Sequence, residues 1–262
     1  MTIRAAFIDM DGTLLTEDNQ ITNRNYQAIQ QLKQQGVMVF LATGRQKDIT
    51  FPYHQQLKLT TPMICLNGAA IYDSFSLDPL VVRPVHINTN LFHRVTHDDP
   101  CNVIIHAPEG LYCKKIDETV QSWMEESMKE PYYIGSLMKE YPQVVLKYSV
   151  RTGRRSAPFA HYFKHEAEVI EWEDGFEIVS KGVSKWSAIE YILNTYGIKK
   201  EEAIAFGDGP NDIEMIQSIG TGVAMGNGVA QLKQVADYVT GDSEEDGLAY
   251  YIEQQLIKTF SA

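Results

Sequence analysis

A chain of 262 residues with 44% apolar side chains is long enough for one large domain or two, each with a packed core. Its formal net charge of −11 argues against a surface for nucleic acid or anionic membrane. Cys65, Cys101 and Cys113 form no C-x-x-C pair, no basic segment leads into a long apolar run at the N-terminus, and no apolar stretch approaches the ~18–20 residues that span a bilayer; a soluble cytoplasmic protein with reduced thiols is expected.

Ala5 to Ile8 is an apolar run that reads as a strand buried on both faces, as in a parallel sheet. Asp9 and Asp11 follow it, at the strand end where such sheets place their ligands. Side chains at i and i+2 point the same way while the chain stays extended. Two like charges held that close call for a cation or a shared proton. Gly12 lets the backbone turn and bring N–H groups toward a ligand. A plain acidic strand-to-helix turn with an N-cap Asp is the alternative.

Tyr26, Ala28, Ile29 and Leu32 carry helical spacing over Thr22 to Gln35, with Gly36 as the stop. Val37 to Leu41 reads as a second buried strand, so strand, helix and strand make a right-handed crossover. It ends in Ala42-Thr43-Gly44-Arg45. A hydroxyl at Thr43 beside the accessible N–H of Gly44 suits a phosphate oxygen, although by itself a Thr there reads first as a cap of the next helix. Two further apolar runs, Met63 to Leu66 and Ala69 to Tyr72, flank Asn67-Gly68, a hairpin-turn signal.

From about Arg83 to Lys181 the βαβ rhythm is lost, and strands mix with helices as in a separate α+β unit. Asn102 to Ala107 and Leu111 to Lys115 flank the turn Pro108-Glu109-Gly110. A helix is expected over Asp117 to Lys129, with Val120, Trp123, Met124 and Met128 on one face. Gln143 to Val150 and Phe176 to Val179 read as strands, and Phe159 to Ile170 as helical or mixed. The pairs His93–His97 and His161–His165 have helical metal-ligand spacing but no acidic or Cys partner, so they read as solvated. Trp123 and Trp172 read as core rather than as stacking platforms. Arg151, Arg154 and Arg155 read as a solvated basic loop, with contact to an anionic substrate as the alternative.

A helix from Trp186 to Tyr196 follows Lys181-Gly182-Val183-Ser184-Lys185. A lysine at a helix start opposes the dipole, and a bound phosphate supplies a reason for it; a surface lysine is the alternative. Ile204-Ala205-Phe206 reads as a buried strand, and it ends in Gly207-Asp208-Gly209-Pro210-Asn211-Asp212. Gly222 to Gly228 and Ala236 to Thr240 read as short strands with a glycine turn, before a closing helix from Asp246-Gly247-Leu248.

Asp9-Met10-Asp11-Gly12-Thr13-Leu14 resembles the first motif of the haloacid dehalogenase-like (HAD) hydrolases. Leu41 to Arg45 is similar to the second, Val183-Ser184-Lys185 to the third in its Cof-type form, and Gly207 to Asp212 to the fourth. The third motif departs from the usual pattern in having Trp186 where Gly is common. The resemblance implies a Rossmann-like doubly wound α/β core, residues 1–82 and 183–262, with an inserted α+β cap of class IIB, residues 83–182, that selects the substrate. It implies Asp9 as nucleophile and Asp11 as general acid and base. Thr43, Gly44, Lys185 and Gly12 would hold the phosphoryl group, with Lys181 as runner-up to Lys185. Asp9, Asp11 (through its carbonyl), Asp208, Asn211 and Asp212 would hold Mg2+, and Asn67 would face the site. The activity implied is hydrolysis of a small phosphate monoester: a sugar phosphate, a nucleotide, flavin mononucleotide or pyridoxal phosphate. A sugar phosphomutase uses the same core and cap, and a metal- or phosphoprotein-binding module is the non-enzymatic alternative.

Overall fold

The structure is a computed structural model, and it describes residues 2–97, 101–152 and 160–257. Contacts divide the chain into two compact units, Met1–Leu80 with Ser184–Ala262, and Val81–Val183.

In the first unit, β1 (Ala5–Ile8) is buried throughout. Ala6 and Ile8 enter one apolar cluster, while Phe7 stacks on Phe40 at 4.8 Å on the other face. Helix α1 (Asn23–Gln34) starts at Thr22, whose side chain accepts from the Asn25 N–H. Its Ala28, Ile29 and Leu32 join the Ile8 cluster. After β2 (Met38–Leu41) comes α2 (Lys47–Gln56), a helix that the periodicity did not announce and that carries Pro52 inside it. Strands β3 (Met63–Cys65) and β4 (Ala70–Tyr72) pair antiparallel, as Asn67-Gly68 implied. Their turn holds Leu66, Asn67 and Gly68 at positive φ. A Cβ at Gly68 would lie 2.2 Å from the Ser184 carbonyl oxygen, so only glycine lets the hairpin reach the start of the helix after Ser184. Strand β5 (Pro79–Val82) leads the chain into the second unit.

That unit holds α3 (Thr89–His97), β6 (Asn102–Ala107), β7 (Gly110–Cys113), α4 (Glu118–Ser127), β8 (Tyr133–Ile134), β9 (Lys147–Arg151), β10 (Ala167–Trp172) and β11 (Gly175–Ser180). The strands form one sheet in the order β10-β11-β9-β6-β7-β8, antiparallel except for β7 with β8. One face, with Val103, Ile105, Tyr148, Val150, Phe176 and Ile178, packs on Phe92 and Phe163. Two expectations need correction. Met128 is 88% exposed, because α4 ends there in a left-handed C-cap instead of continuing to Lys129. The strand expected from Gln143 begins only at Lys147; Val145 and Leu146 make single backbone bonds to Val85 and His106. In the mixed stretch a 3-10 turn, Ala160–Phe163, gives way to β10, so His161 and His165 do not share a helix. Arg154, Arg155 and Phe159 lie outside the described residues.

The chain returns to the first unit through α5 (Lys185–Tyr196), β12 (Ala203–Gly207), α6 (Ile213–Ser218), β13 (Thr221–Ala224), α7 (Ala230–Val235), β14 (Tyr238–Val239) and α8 (Gly247–Tyr251). The sheet order β14-β13-β12-β1-β2 is parallel at every pairing. Helices lie on both faces: α1 and α8 on the Ile8 side, and Tyr196 of α5 against Phe40 on the other. Ile8 sits in register with Phe206 and Leu41. That register places Asp9, Thr43 and Asp208 at neighbouring carboxyl ends of a parallel sheet.

Candidate active site

Asp9 leaves β1 with its backbone N–H bonded to the Phe206 carbonyl, and only 5% of the residue is exposed. The Lys185 ammonium, fully buried, donates to Asp9 Oδ1 and to Asp212 Oδ1, each at 2.6 Å. Those two carboxylates supply the countercharge that a lysine in the first turn of α5 needs against the helix dipole. Lys181 is exposed, and its ammonium donates to the His165 carbonyl at 3.3 Å. Asp212 Oδ2 accepts from the N–H groups of Asp208 and Gly209, which clamps the loop after β12. Thr13 donates to Asp208 Oδ1 at 3.3 Å. Gly12 stands at φ +67°, and a Cβ there would meet Asp208 Oδ2 at 2.4 Å; the first acidic loop thus runs directly under the Asp208 carboxylate.

The two acids of the first motif part company, because the chain stops being extended at Ile8. Asp9 is buried, whereas the Asp11 side chain is 58% exposed and faces Arg45. Arg45 Nε donates to both Asp11 oxygens at 3.0 Å, and Nη2 donates to Oδ1. Thr43 is fully buried, and its hydroxyl accepts from the Arg45 N–H. Thr43 is no helix cap: α2 begins after Gln46, without a side-chain cap. Asn67, also buried, accepts from the Asn211 amide at 2.9 Å and lies beside Gly44, joining the second strand end to the fourth.

Carboxylate oxygens of Asp9, Asp208 and Asp212 lie within 4.8 Å of one another. Among the described residues this is the one group of three or more His, Cys, Asp or Glu side chains able to share an ion. Neither histidine pair forms one; His93 instead packs its ring on Tyr141 at 5.3 Å. Burial, reinforced by Asp212, pushes the Asp9 carboxyl well above its usual range despite Lys185. Burial and Asp212 likewise raise Asp208 to about 6. For Lys185 burial acts against the charge, but Asp212 and Asp9 outweigh it and the pKa rises. One ammonium against three carboxylates leaves negative charge in excess, and the donors are all hard oxygens. Such a set fits a divalent cation of the magnesium kind.

A profile described as haloacid dehalogenase-like hydrolase matches residues 6–252. The chain belongs to the haloacid dehalogenase-like hydrolases. It is 29% identical to the 5-amino-6-(5-phospho-D-ribitylamino)uracil phosphatase of Bacillus subtilis, over 94% of this chain and 95% of that one. The same identity relates it to the pyridoxal phosphate phosphatase of Escherichia coli, over 98% and 100%. The solved structure of a HAD subclass IIB sugar phosphatase superposes with a TM-score of 0.84 at 23% identity, covering 97% of this chain and 99% of that one; it speaks for the fold. The HAD resemblance drawn from four short motifs therefore holds across nearly the whole chain, and the protein is an enzyme of the Cof-type branch.

In this HAD chain several contributors to the site carry no motif of their own. Asn227, in the turn read as structural, donates to the Gly12 carbonyl at 2.8 Å and accepts from the Ser243 N–H. Asn19 accepts from Arg45. Asp11, Gly12, Thr16, Glu17, Asn19, Asn227 and the 242–244 loop line a cavity of about 380 Å³ beside the first acidic loop. A glycine-flanked Asn after a short strand was the available signal for Asn227, and nothing in the pattern singled out Asn19.

Proposed function

We propose that the protein is a magnesium-dependent phosphatase that hydrolyses a small-molecule phosphate monoester through an aspartyl-phosphate on Asp9. The carrying observation is the buried Lys185 ammonium, 2.6 Å from both Asp9 and Asp212, beside Asp208. Asp9 attacks phosphorus as the bond to the leaving oxygen breaks, and Asp11 gives that oxygen its proton. Asp11 then takes a proton from the water that hydrolyses the acyl phosphate. Lys185, the Thr43 hydroxyl and the N–H groups of Gly12 and Gly44 stabilise the equatorial phosphoryl oxygens. Asp9, the Asp11 carbonyl, Asp208, Asn211 and Asp212 would hold Mg2+, which when bound offsets the repulsion between carboxylate and phosphate dianion. The named activities of the two bacterial relatives support a phosphorylated metabolite as substrate. The inserted unit Val81–Val183 is the part assigned to selecting it. Three buried cysteine thiols fit a reducing cytoplasm, and no helix among the described residues is long and apolar enough to cross a membrane.

The test is phosphate release from a panel of sugar, nucleotide and cofactor phosphates, with and without Mg2+, for wild type beside Asp9→Asn. Magnesium-dependent release that disappears in the variant, with unchanged circular dichroism, is expected. Wild-type turnover in Asp9→Asn refutes the nucleophile. A product carrying phosphate at a new position, in place of free phosphate, makes the enzyme a mutase.

A further inference from the structure

Arg45 belongs to the second motif, yet its side chain contacts the acid of the first. It is held on every side. Its N–H donates to Thr43 Oγ1, and its carbonyl accepts from the Leu66 N–H. The guanidinium donates to Asn19 Oδ1 and lies 5.7 Å from the centre of the Tyr53 ring. Tyr53 in turn donates its hydroxyl to the Asn19 carbonyl at 3.1 Å. Asn19 sits at φ +55°, a left-handed conformation that fixes the loop Thr16–Gln20 against the arginine. The Arg45 side chain is only 11% exposed, whereas Asp11 is 58% exposed. An aspartate so open, on a turn, has several rotamers within reach. A rigid planar fork that grips both of its oxygens selects one.

We propose that Arg45 is the positioning residue of the acid–base carboxylate, aiming Asp11 from the turn that also carries the Thr43 hydroxyl. The inference rests on Asp11 being the general acid. In that step the Asp9 oxygen forms its bond to phosphorus and the bond from phosphorus to the ester oxygen breaks. The electron pair of that bond stays on the ester oxygen, and the Asp11 proton moves to it, leaving an alcohol and the Asp11 carboxylate. Arg45 then faces the charge that Asp11 has just acquired, in the geometry needed for it to accept a proton from water in the second half-reaction. The same turn thereby couples phosphoryl binding to placement of the acid: a shift of Thr43-Gly44-Arg45 moves both.

Leaving-group dependence separates this role from a structural one. An alkyl phosphate, such as a sugar phosphate accepted by the enzyme, needs a proton on its leaving oxygen, and p-nitrophenyl phosphate does not. Arg45→Met is expected to lower kcat about 100-fold on the alkyl ester and less than about 5-fold on p-nitrophenyl phosphate, with KM little changed, within the range that general acid catalysis supplies. Arg45→Lys recovers only part of the alkyl activity, because an ammonium cannot grip both oxygens. Asn19→Gly keeps the left-handed backbone and removes one anchor of the guanidinium, so it shows a smaller loss with the same selectivity. That variant serves if Arg45→Met fails to fold. Asp11→Asn is assayed alongside, and the double variant should be no slower than Asp11→Asn alone. Equal losses on the two esters, or a rise in KM with kcat unchanged, overturns the proposal and makes Arg45 a structural or substrate-binding residue. If Asp11→Asn discriminates between the esters and the Arg45 variants do not, the positioning role alone fails. If Asp11→Asn does not discriminate either, it is the general-acid assignment that falls.

Discussion

Replacing Lys185 with Met probes the charge balance on which the site is built. The ammonium is fully buried and lies 2.6 Å from each of two carboxylates. At an effective dielectric of about 20, each contact corresponds to a gross attraction of about 6 kcal/mol. Desolvation of the ammonium cancels several kcal/mol of that sum, so the pairs themselves add little net stability. The variant differs, because it removes the cation and leaves Asp9, Asp208 and Asp212 facing one another. Breaking a buried pair in this way costs about 3–5 kcal/mol. The measurement is urea unfolding by tryptophan fluorescence in EDTA, at two pH values. Without Lys185 the Asp9 carboxyl, already raised by burial, should hold its proton still more tightly in the folded state. A group with a raised folded-state pKa contributes stability at low pH and loses it as pH rises through that pKa. The deficit should therefore be larger at pH 8 than at pH 5, and Mg2+ should restore part of it by binding the folded state. A loss below about 1 kcal/mol at pH 8 would rule out Lys185 as the countercharge of the cluster, since buried carboxylates cannot lose their cation at so small a cost.

Two further outcomes follow from the same loops. Gly12→Ala brings a Cβ to 2.4 Å from Asp208 Oδ2 at a positive φ; calorimetry should show at least about tenfold weaker Mg2+ binding, as for lost support around a ligand carboxylate. In EDTA, Asp208 titrates at about 6 folded against an ordinary 3.8, so wild-type stability should decline by about 3 kcal/mol from this group as pH rises through that window. Asp208→Asn should flatten that slope, and an unchanged slope in urea titrations would exclude Asp208 as its source.

Short apolar runs followed by acids or hydroxyls were legible without coordinates. A strand buried on both faces of a parallel sheet must be apolar throughout, and its ligand site must lie where it ends. That logic located Asp9, Thr43 and Asp208, and the sheet order brought them side by side. Helix α2 was not legible: Pro52 interrupts its pattern, and of its residues only Thr50 and His54 are buried. The extent of α4 was overread, because an apolar Met128 at helical spacing does not reveal a left-handed cap.

Residue types and their local spacing determined, before any tertiary structure, the fold class, the acidic strand ends and the family. Pairing lay beyond their reach. Lys185 stands 176 residues from Asp9, and Arg45 stands 34 from Asp11. A lysine at a helix start reads as a phosphate ligand, with a surface charge as the alternative; only folding shows that two buried carboxylates already share it. In the same way Asp9 and Asp11 look equivalent in sequence, and the end of β1 at Ile8 makes one buried and the other exposed. The physical reason is that charge interactions depend on distance and burial, and for groups far apart along the chain both are set by the packing of the sheet.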